Sequence, residues 1–279
     1  MTDGRAGQKG LDPARLRAGT HLASNAVTLD FQEFVAGEMG RRVGIPVDFV
    51  VEVSYESCFE DLNDVCFVCS LAYVAFEREG LELAVPVAAP VLQGSRYGGR
   101  PIYFSDVIVH RDSGIDSFLA LRGRSWAYNE TLSQSGYGIT RYHLARMGET
   151  NGFFGRTVES GFHRDSIRMV ADREVDGSAI DSHVLALELR EQPDLAEVLR
   201  VVDVLGPSTV QPVAVSRRLS PELREAIRRA LVTMTDDESV RLKLGLAMVE
   251  RFVTIDAGAY DDIRGMLDLC EAAGFLVLR

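Results

Sequence analysis

Segments with a two-residue apolar period alternate along this chain with segments of helical period. That alternation restricts it to folds in which helices cover a largely parallel sheet. Val47, Phe49, Val51 and Val53 alternate as one strand. Ahead of it, Leu16 to Leu22 reads as a first strand with His21 near its end. Asp30 to Val43 reads as a helix, with Phe31, Phe34, Val35 and Met39 on one face and Gly44 ending it. Ser54 starts a short helix carrying Tyr55, Cys58, Phe59 and Leu62; Val65 to Ser70 is the next strand and Leu71 to Arg78 the next helix. Further strands are predicted over Ile102 to Val109, Trp126 to Tyr128, Ser178 to Ile180, Leu199 to Leu205 and Val210 to Ser216. The rest is predicted to be helical, over Pro221 to Met234, Asp237 to Phe252 and Ala259 to Gly274. No strand signal follows Ser216, so the C-terminal helices are expected to pack onto an existing sheet. A chain of 279 residues is long enough for two domains.

Composition excludes several partners. A net charge of −11 argues against nucleic-acid and anionic-membrane surfaces. It leaves room for a small anion, because local N–H groups outweigh a distant negative field. No apolar run approaches membrane-spanning length. Met1 to Thr20 holds Arg5, Lys9, Arg15 and Arg17 but no apolar signal core. The chain is therefore expected in the cytoplasm if Met1 is its native start, or to have lost a leader. Residues 1–15 read as a disordered tail. Cys66 and Cys69 form a CxxC within a predicted strand, where residues three apart face opposite ways. With no second pair to complete a zinc site, they are expected to be buried free thiols.

Ser125 to Met147 carries the most chemistry. Trp126 to Tyr128 ends as a strand; Ile139, His143 or Leu144, and Met147 recur at helical spacing; Ser133-Gln134-Ser135-Gly136 lies between. A hydroxyl-rich turn at a helix start caps it and aims N–H groups and the positive dipole end forward. This suits an anion held by neutral donors, or is an ordinary serine cap. Other strand ends are polar too: Ser70, Tyr103 to Ser105, Asp181-Ser182 and Ser208-Thr209, joined by His163 in a loop ahead of a helix. In open sheets ligands sit beyond such ends. His21, His110, His143 and His183 match no functional motif and are read as structural. Asp236-Asp237-Glu238 and Asp261-Asp262 read as helix-start carboxylates, not metal ligands. Gly94 to Gly99 lacks a P-loop ending and reads as a loop.

Several of these pieces, in order, resemble the phosphonate/phosphite/phosphate-binding family of ABC-transporter substrate-binding proteins. Tyr103 to Val109 with Asp112-Ser113-Gly114-Ile115 is similar to that family's aromatic-aromatic-Ser strand and Asp-Ser-Gly turn. Leu121-Arg122-Gly123-Arg124 resembles its Leu-Lys-Gly-Lys, Ser133 to Gly136 its Ser-Thr-Ser-Gly loop, Gly161-Phe162-His163 its Gly-Ser-His, and Val175 to Ser182 its Val-Asp-Ala-Ala-Ala-Ile-Asp-Ser. The resemblance runs from about Leu16 to Met234.

It implies the type II periplasmic-binding-protein fold: two Rossmann-like α/β lobes joined by a two-stranded hinge, with the C-terminal helices on lobe one. Residues 16–107 and 210–279 would form lobe one, and 108–209 lobe two. It implies that Ser133, Gln134 and Ser135 bind the anion oxygens, with His163 and Tyr103 as further donors. Asp181 would bind a protonated ligand oxygen or orient His163, or simply cap its helix. Tyr55 falls where the family has a first-lobe tyrosine near the ligand, and Ser70 is a further candidate. The implied protein is a monomer without cofactor that presents a small phosphorus oxyanion to an ABC permease or a sensor, in the cell envelope. Gln134 replaces the usual Thr, and Gly206 to Val210 offers no clear match to the acids that hold an aminoalkyl tail in some relatives. The alternative is a cytoplasmic enzyme on the same fold, using His163 and Asp181 as an acid–base pair or a cysteine nucleophile.

Overall fold

The structure is a computed structural model that describes residues 13–21, 26–52, 54–56, 62–81 and 84–278. Its strands are β1 (Leu16–Thr20), β2 (Val47–Val51), β3 (Val65–Phe67), β4 (Ala84–Leu92), β5 (Ile102–His110), β6 (Ser125–Tyr128), β7 (Arg156–Glu159), β8 (Gly177–Asp181), β9 (Leu199–Thr209), β10 (Val213–Ser216) and β11 (Val249–Thr254). Its α-helices are α1 (Ala26–Val43), α2 (Ser70–Arg78), α3 (Ile139–Arg146), α4 (His163–Ala171), α5 (Ser182–Glu191), α6 (Leu195–Val198), α7 (Pro221–Thr233), α8 (Glu238–Leu246) and α9 (Asp261–Ala272). The tail expected over residues 1–15 lies mostly, and Cys58 and Phe59 of the expected short helix lie wholly, outside the described residues.

Two sheets result. The first has the order β11-β4-β10-β3-β1-β2 and the second β7-β6-β8-β5-β9. Both are mixed rather than largely parallel. β1 runs parallel to β2 and β3, and β6 parallel to β7 and β8, each pair joined through helices as parallel strands require. β5, β9, β10 and β11 pair antiparallel. The chain passes between sheets at 93–101 and at 210–212. β5 begins at Ile102 and pairs only with β8 and β9, so the first crossing lies earlier than the expected boundary at 107. The glycine-rich stretch Gly94 to Gly99 is that crossing; Gly94, Gly98 and Gly99 all have positive φ.

β11 corrects the expectation of a helix to Phe252. The helix stops at Leu246, Met248 takes φ 54°, and Val249 to Thr254 pairs with β4. Val249 and Phe252 are buried against the first core. Val, Phe and Thr suit a pleated edge better than a helix interior, and the periodicity of α8 masked the change. β3 is likewise shorter than expected: it ends at Phe67, and Cys69 precedes the first turn of α2. Cys66, Cys69 and Cys270 are buried.

Each sheet has its own core. β5 alternates between the two faces of the second sheet, with Val107 and Val109 on one side and Ile108 on the other. Trp126 is wholly buried, stacked on Phe154 at 4.7 Å and edge-on to Phe118 at 5.8 Å. α7 and α8 pack on the first sheet. α9 touches both halves of the molecule. Its Arg264 pairs with Glu77 of α2 at 2.6 Å. Beyond it, Phe275 and Leu278 are buried in the second core, and the Phe275 carbonyl accepts from Arg141 of α3 at 2.6 Å.

Candidate functional site

Four helix starts surround one cavity between the sheets. Cys69 precedes α2, Ser133 precedes the turn leading into α3, His163 opens α4, and Asp181 caps α5; all four line the cavity. Each helix follows a strand whose carboxyl end faces the cleft. Their N–H groups and positive dipole ends thus face a lining that, among the described residues, holds the Glu130 and Asp181 carboxylates and no lysine or arginine.

The α3 start is a single π turn, Gln134–Gly138. Ser133, not Ser135, is the cap: its Oγ accepts the Gly136 N–H at 3.1 Å. Ser135 Oγ is thereby released and meets His163 Nε2 at 2.7 Å. Gly136 is required by close approach, since a Cβ there would lie 2.1 Å from Asn129 Oδ1. Burial lowers the His163 pKa, against the opposing charges of Asp181 and Glu130, so the ring is neutral. Its Nδ1 has no hydrogen-bond partner among the described residues.

Tyr55, Ser133, Ser135, His163 and Asp181 line the cavity. Tyr103 and Ser70 are fully buried behind it, and among the described residues neither hydroxyl has a hydrogen bond of normal geometry. Burial drives the Tyr103 phenol well above its ordinary pKa, eased by the nearby Ser70 and Ser135 hydroxyls. Gln134 is turned away. Its Nε2 donates to Ser208 Oγ at 3.1 Å, and its backbone N–H to the Cys69 sulfur at 3.4 Å. Burial pushes that thiol up to about 11, so it is protonated. Asp181 is already engaged: Oδ1 takes the His183 N–H at 2.8 Å and Oδ2 the Gln211 side chain at 2.9 Å.

The sequence reading missed Glu130. It follows β6 and reaches across the cleft, accepting the Tyr55 hydroxyl at 2.6 Å, with His21 Nε2 3.7 Å away. Glu130 raises the His21 pKa. His21 and His183, read as structural, both line the cavity, and His183 Nε2 lies 2.6 Å from the Ala247 carbonyl on the other side of the cleft. The signal for Glu130 was its place three residues before Ser133, in a stretch read only as turn-like. His110 and His143 are structural. His110 caps a short turn through Asp112, and His143 packs edge-on against Phe118.

The two histidines have opposite linkage. The unfolded chain binds a proton near pH ~6.5 that buried His163 refuses, so its effect on stability is nil above that pH and unfavourable below. His21, raised by Glu130, stabilises at low pH and loses that contribution as pH rises through its folded value. His163→Gln is therefore expected to flatten the acid-side fall in melting temperature. A fall identical to wild type would refute the neutral assignment.

A sequence profile of the ABC-transporter phosphonate periplasmic substrate-binding proteins matches residues 23–260. Among solved structures, a binding-protein component of an ABC phosphonate transporter from Pseudomonas aeruginosa is 20% identical, with a TM-score of 0.81 over 94% of this chain and 88% of that one. PhnD1 from Prochlorococcus marinus, solved with methylphosphonate, is 16% identical, with a TM-score of 0.77 over 93% and 99%. A histidine kinase sensor domain similar to periplasmic binding proteins is 16% identical, with a TM-score of 0.58 over 85% and 97%. These likenesses show the type II periplasmic-binding-protein fold.

Proposed function

The chain belongs to the ABC-transporter phosphonate periplasmic substrate-binding protein family, and we propose that it closes around one small phosphorus oxyanion per chain and presents it to a permease. The observation that carries this is the paired Ser135 and His163 at two helix starts, within a cavity whose lining, among the described residues, has hydroxyls and N–H donors but no lysine or arginine. Ser133, Ser135, His163 and Tyr55 are the proposed contacts. Tyr103 and Ser70 supply two hydroxyls behind them. Gln134 would act through its backbone and by holding β9. No described helix is long and apolar enough to cross a membrane, and the proposed location is the periplasm, by family.

The Ser135–His163 pair also has the spacing of a nucleophile and its base. What weighs against an enzyme is the third member. Among the described residues His163 Nδ1 has no carboxylate to orient it, and Asp181 is committed to α5 and Gln211. Calorimetry with phosphate, phosphite, methylphosphonate and longer substituted phosphonates tests the binding reading; heat from at least one is expected, and a flat response to all of them would refute it.

In this reading the two sheets are the cores of two lobes, and the crossings at 93–101 and 210–212 are the hinge. The lobes already touch through Tyr55–Glu130, Gln211–Asp181, His183–Ala247 and Arg190–Leu246. An anion gripped from both sides adds to these and shifts the population toward the closed form. Small-angle scattering is expected to show compaction on saturation with methylphosphonate; an unchanged radius of gyration would count against closure.

A further inference from the structure

The first-sheet wall of the cavity carries a polar group outside the proposed oxyanion contacts. Gln32 of α1 lines the cavity with Thr28 and Phe31 from the same helix. It is only 6% exposed, and its Oε1 has no hydrogen-bond partner among the described residues. The same lining also contains the apolar side chains of Pro90 and Leu92 of β4 and of Val249 and Phe252 of β11. Phe252 stacks parallel to Phe31 with ring centres 6.2 Å apart. A buried amide oxygen left unpaired costs about 1–3 kcal/mol. A bare tetrahedral anion seated by the serines gives this apolar wall nothing to cover and its amide nothing to bond.

We propose that the α1 wall is a subsite for the organic substituent of the ligand and that Gln32 binds a hydroxyl on it. The preferred ligand is then a short hydroxyalkyl phosphonate, rather than phosphate, phosphite or methylphosphonate. The inference rests on the phosphonate-binding reading above and names its substrate class. An amide both donates and accepts, and so does a hydroxyl, so the pair is satisfied in either orientation. An ammonium group asks instead for a free carboxylate. Glu130 and Asp181 are the carboxylates in the lining. Glu130 holds Tyr55 and faces His21, and Asp181 holds the α5 start and Gln211. Both carboxylates already have partners, whereas the Gln32 amide oxygen has none among the described residues. The aliphatic carbons between phosphorus and hydroxyl lie against Leu92, Val249 and the two phenylalanines.

The test is calorimetry on the full chain with methylphosphonate, hydroxyethylphosphonate and aminoethylphosphonate. Wild type is expected to bind the hydroxyethyl compound about tenfold or more tighter than the methyl compound, as one buried hydrogen bond provides. Gln32→Leu, and Gln32→Asn with its shorter reach, are expected to bring that ratio toward unity. Equal wild-type affinities for the methyl and hydroxyethyl compounds would overturn the subsite, whatever the variants do. A ratio preserved in both variants would overturn the role of Gln32. Aminoethylphosphonate binding tighter than the hydroxyethyl compound would overturn the hydroxyl assignment. Silence from all three ligands, with phosphate and phosphite silent too, would refute the parent reading along with it.

Discussion

Ser135→Ala is expected to weaken oxyanion binding by one to two decades, and to cost the ligand-free protein the buried hydrogen bond to His163, about 1–3 kcal/mol. The two serines of the α3 start hold different partners within the protein. Ser133 Oγ satisfies the Gly136 N–H, so Ser133→Ala should lower stability by about 0.5–2 kcal/mol, the usual loss for a helix cap. Ser135 Oγ caps nothing. It holds His163 Nε2 at 2.7 Å and is placed to donate to a charged ligand oxygen. A hydrogen bond to a charged group contributes roughly 1.5–3 kcal/mol, which is the predicted affinity loss. Thermal melts of both variants without ligand read the lost internal bonds, and calorimetry with the best-binding anion reads the affinity loss. If Ser135→Ala binds like wild type, the hydroxyl serves only His163 and the proposed seat is wrong.

The largest expected loss of stability comes from near the end of the chain. Phe275→Ala should cost about 3–5 kcal/mol, as for a fully enclosed aromatic side chain. Phe275 is 2% exposed within the second core, beside Trp126, Phe153 and Phe154. Its carbonyl is also the acceptor for the buried Arg141 guanidinium, which stacks over the Tyr137 ring at 5.3 Å. Any shift of that backbone leaves a cation poorly partnered in the interior, which adds to the cavity cost. Chemical denaturation followed by Trp126 fluorescence reads the second core directly. A midpoint change worth less than about 1 kcal/mol would show that the segment rests on the core rather than forming part of it.

Much of this was legible in the residues. The alternation at Val47 to Val51, the Pro221 to Thr233 helix with its Ser220 cap, and the strand ends that carry Ser133 and Asp181 all follow from local pattern. What escaped were features decided at a distance. β11 exists because β4 offers an open edge, and no period within Val249–Thr254 distinguishes it from the end of α8. Ser133 and Ser135 are equivalent as letters, and the π turn chooses between them. Gln134 looked like a ligand donor by position; Ser208 and Met266, far along the chain, claim its amide instead. Glu130 and His21 gain meaning only when Tyr55 is brought between them.

The contacts that join the two halves outside the anion seat have a consequence for how such a protein can change over generations. The His183–Ala247 and Arg190–Leu246 bonds connect α5 to the turn after α8 without being among the proposed anion contacts. Strengthening or weakening them alters how often the cleft is shut, and the apparent affinity scales with that fraction. The concentration at which the protein is half-filled can therefore drift with the nutrient supply of its habitat through surface substitutions on α5 and α8. The chemistry of what is recognised stays with other residues, so selection can adjust thrift and taste independently.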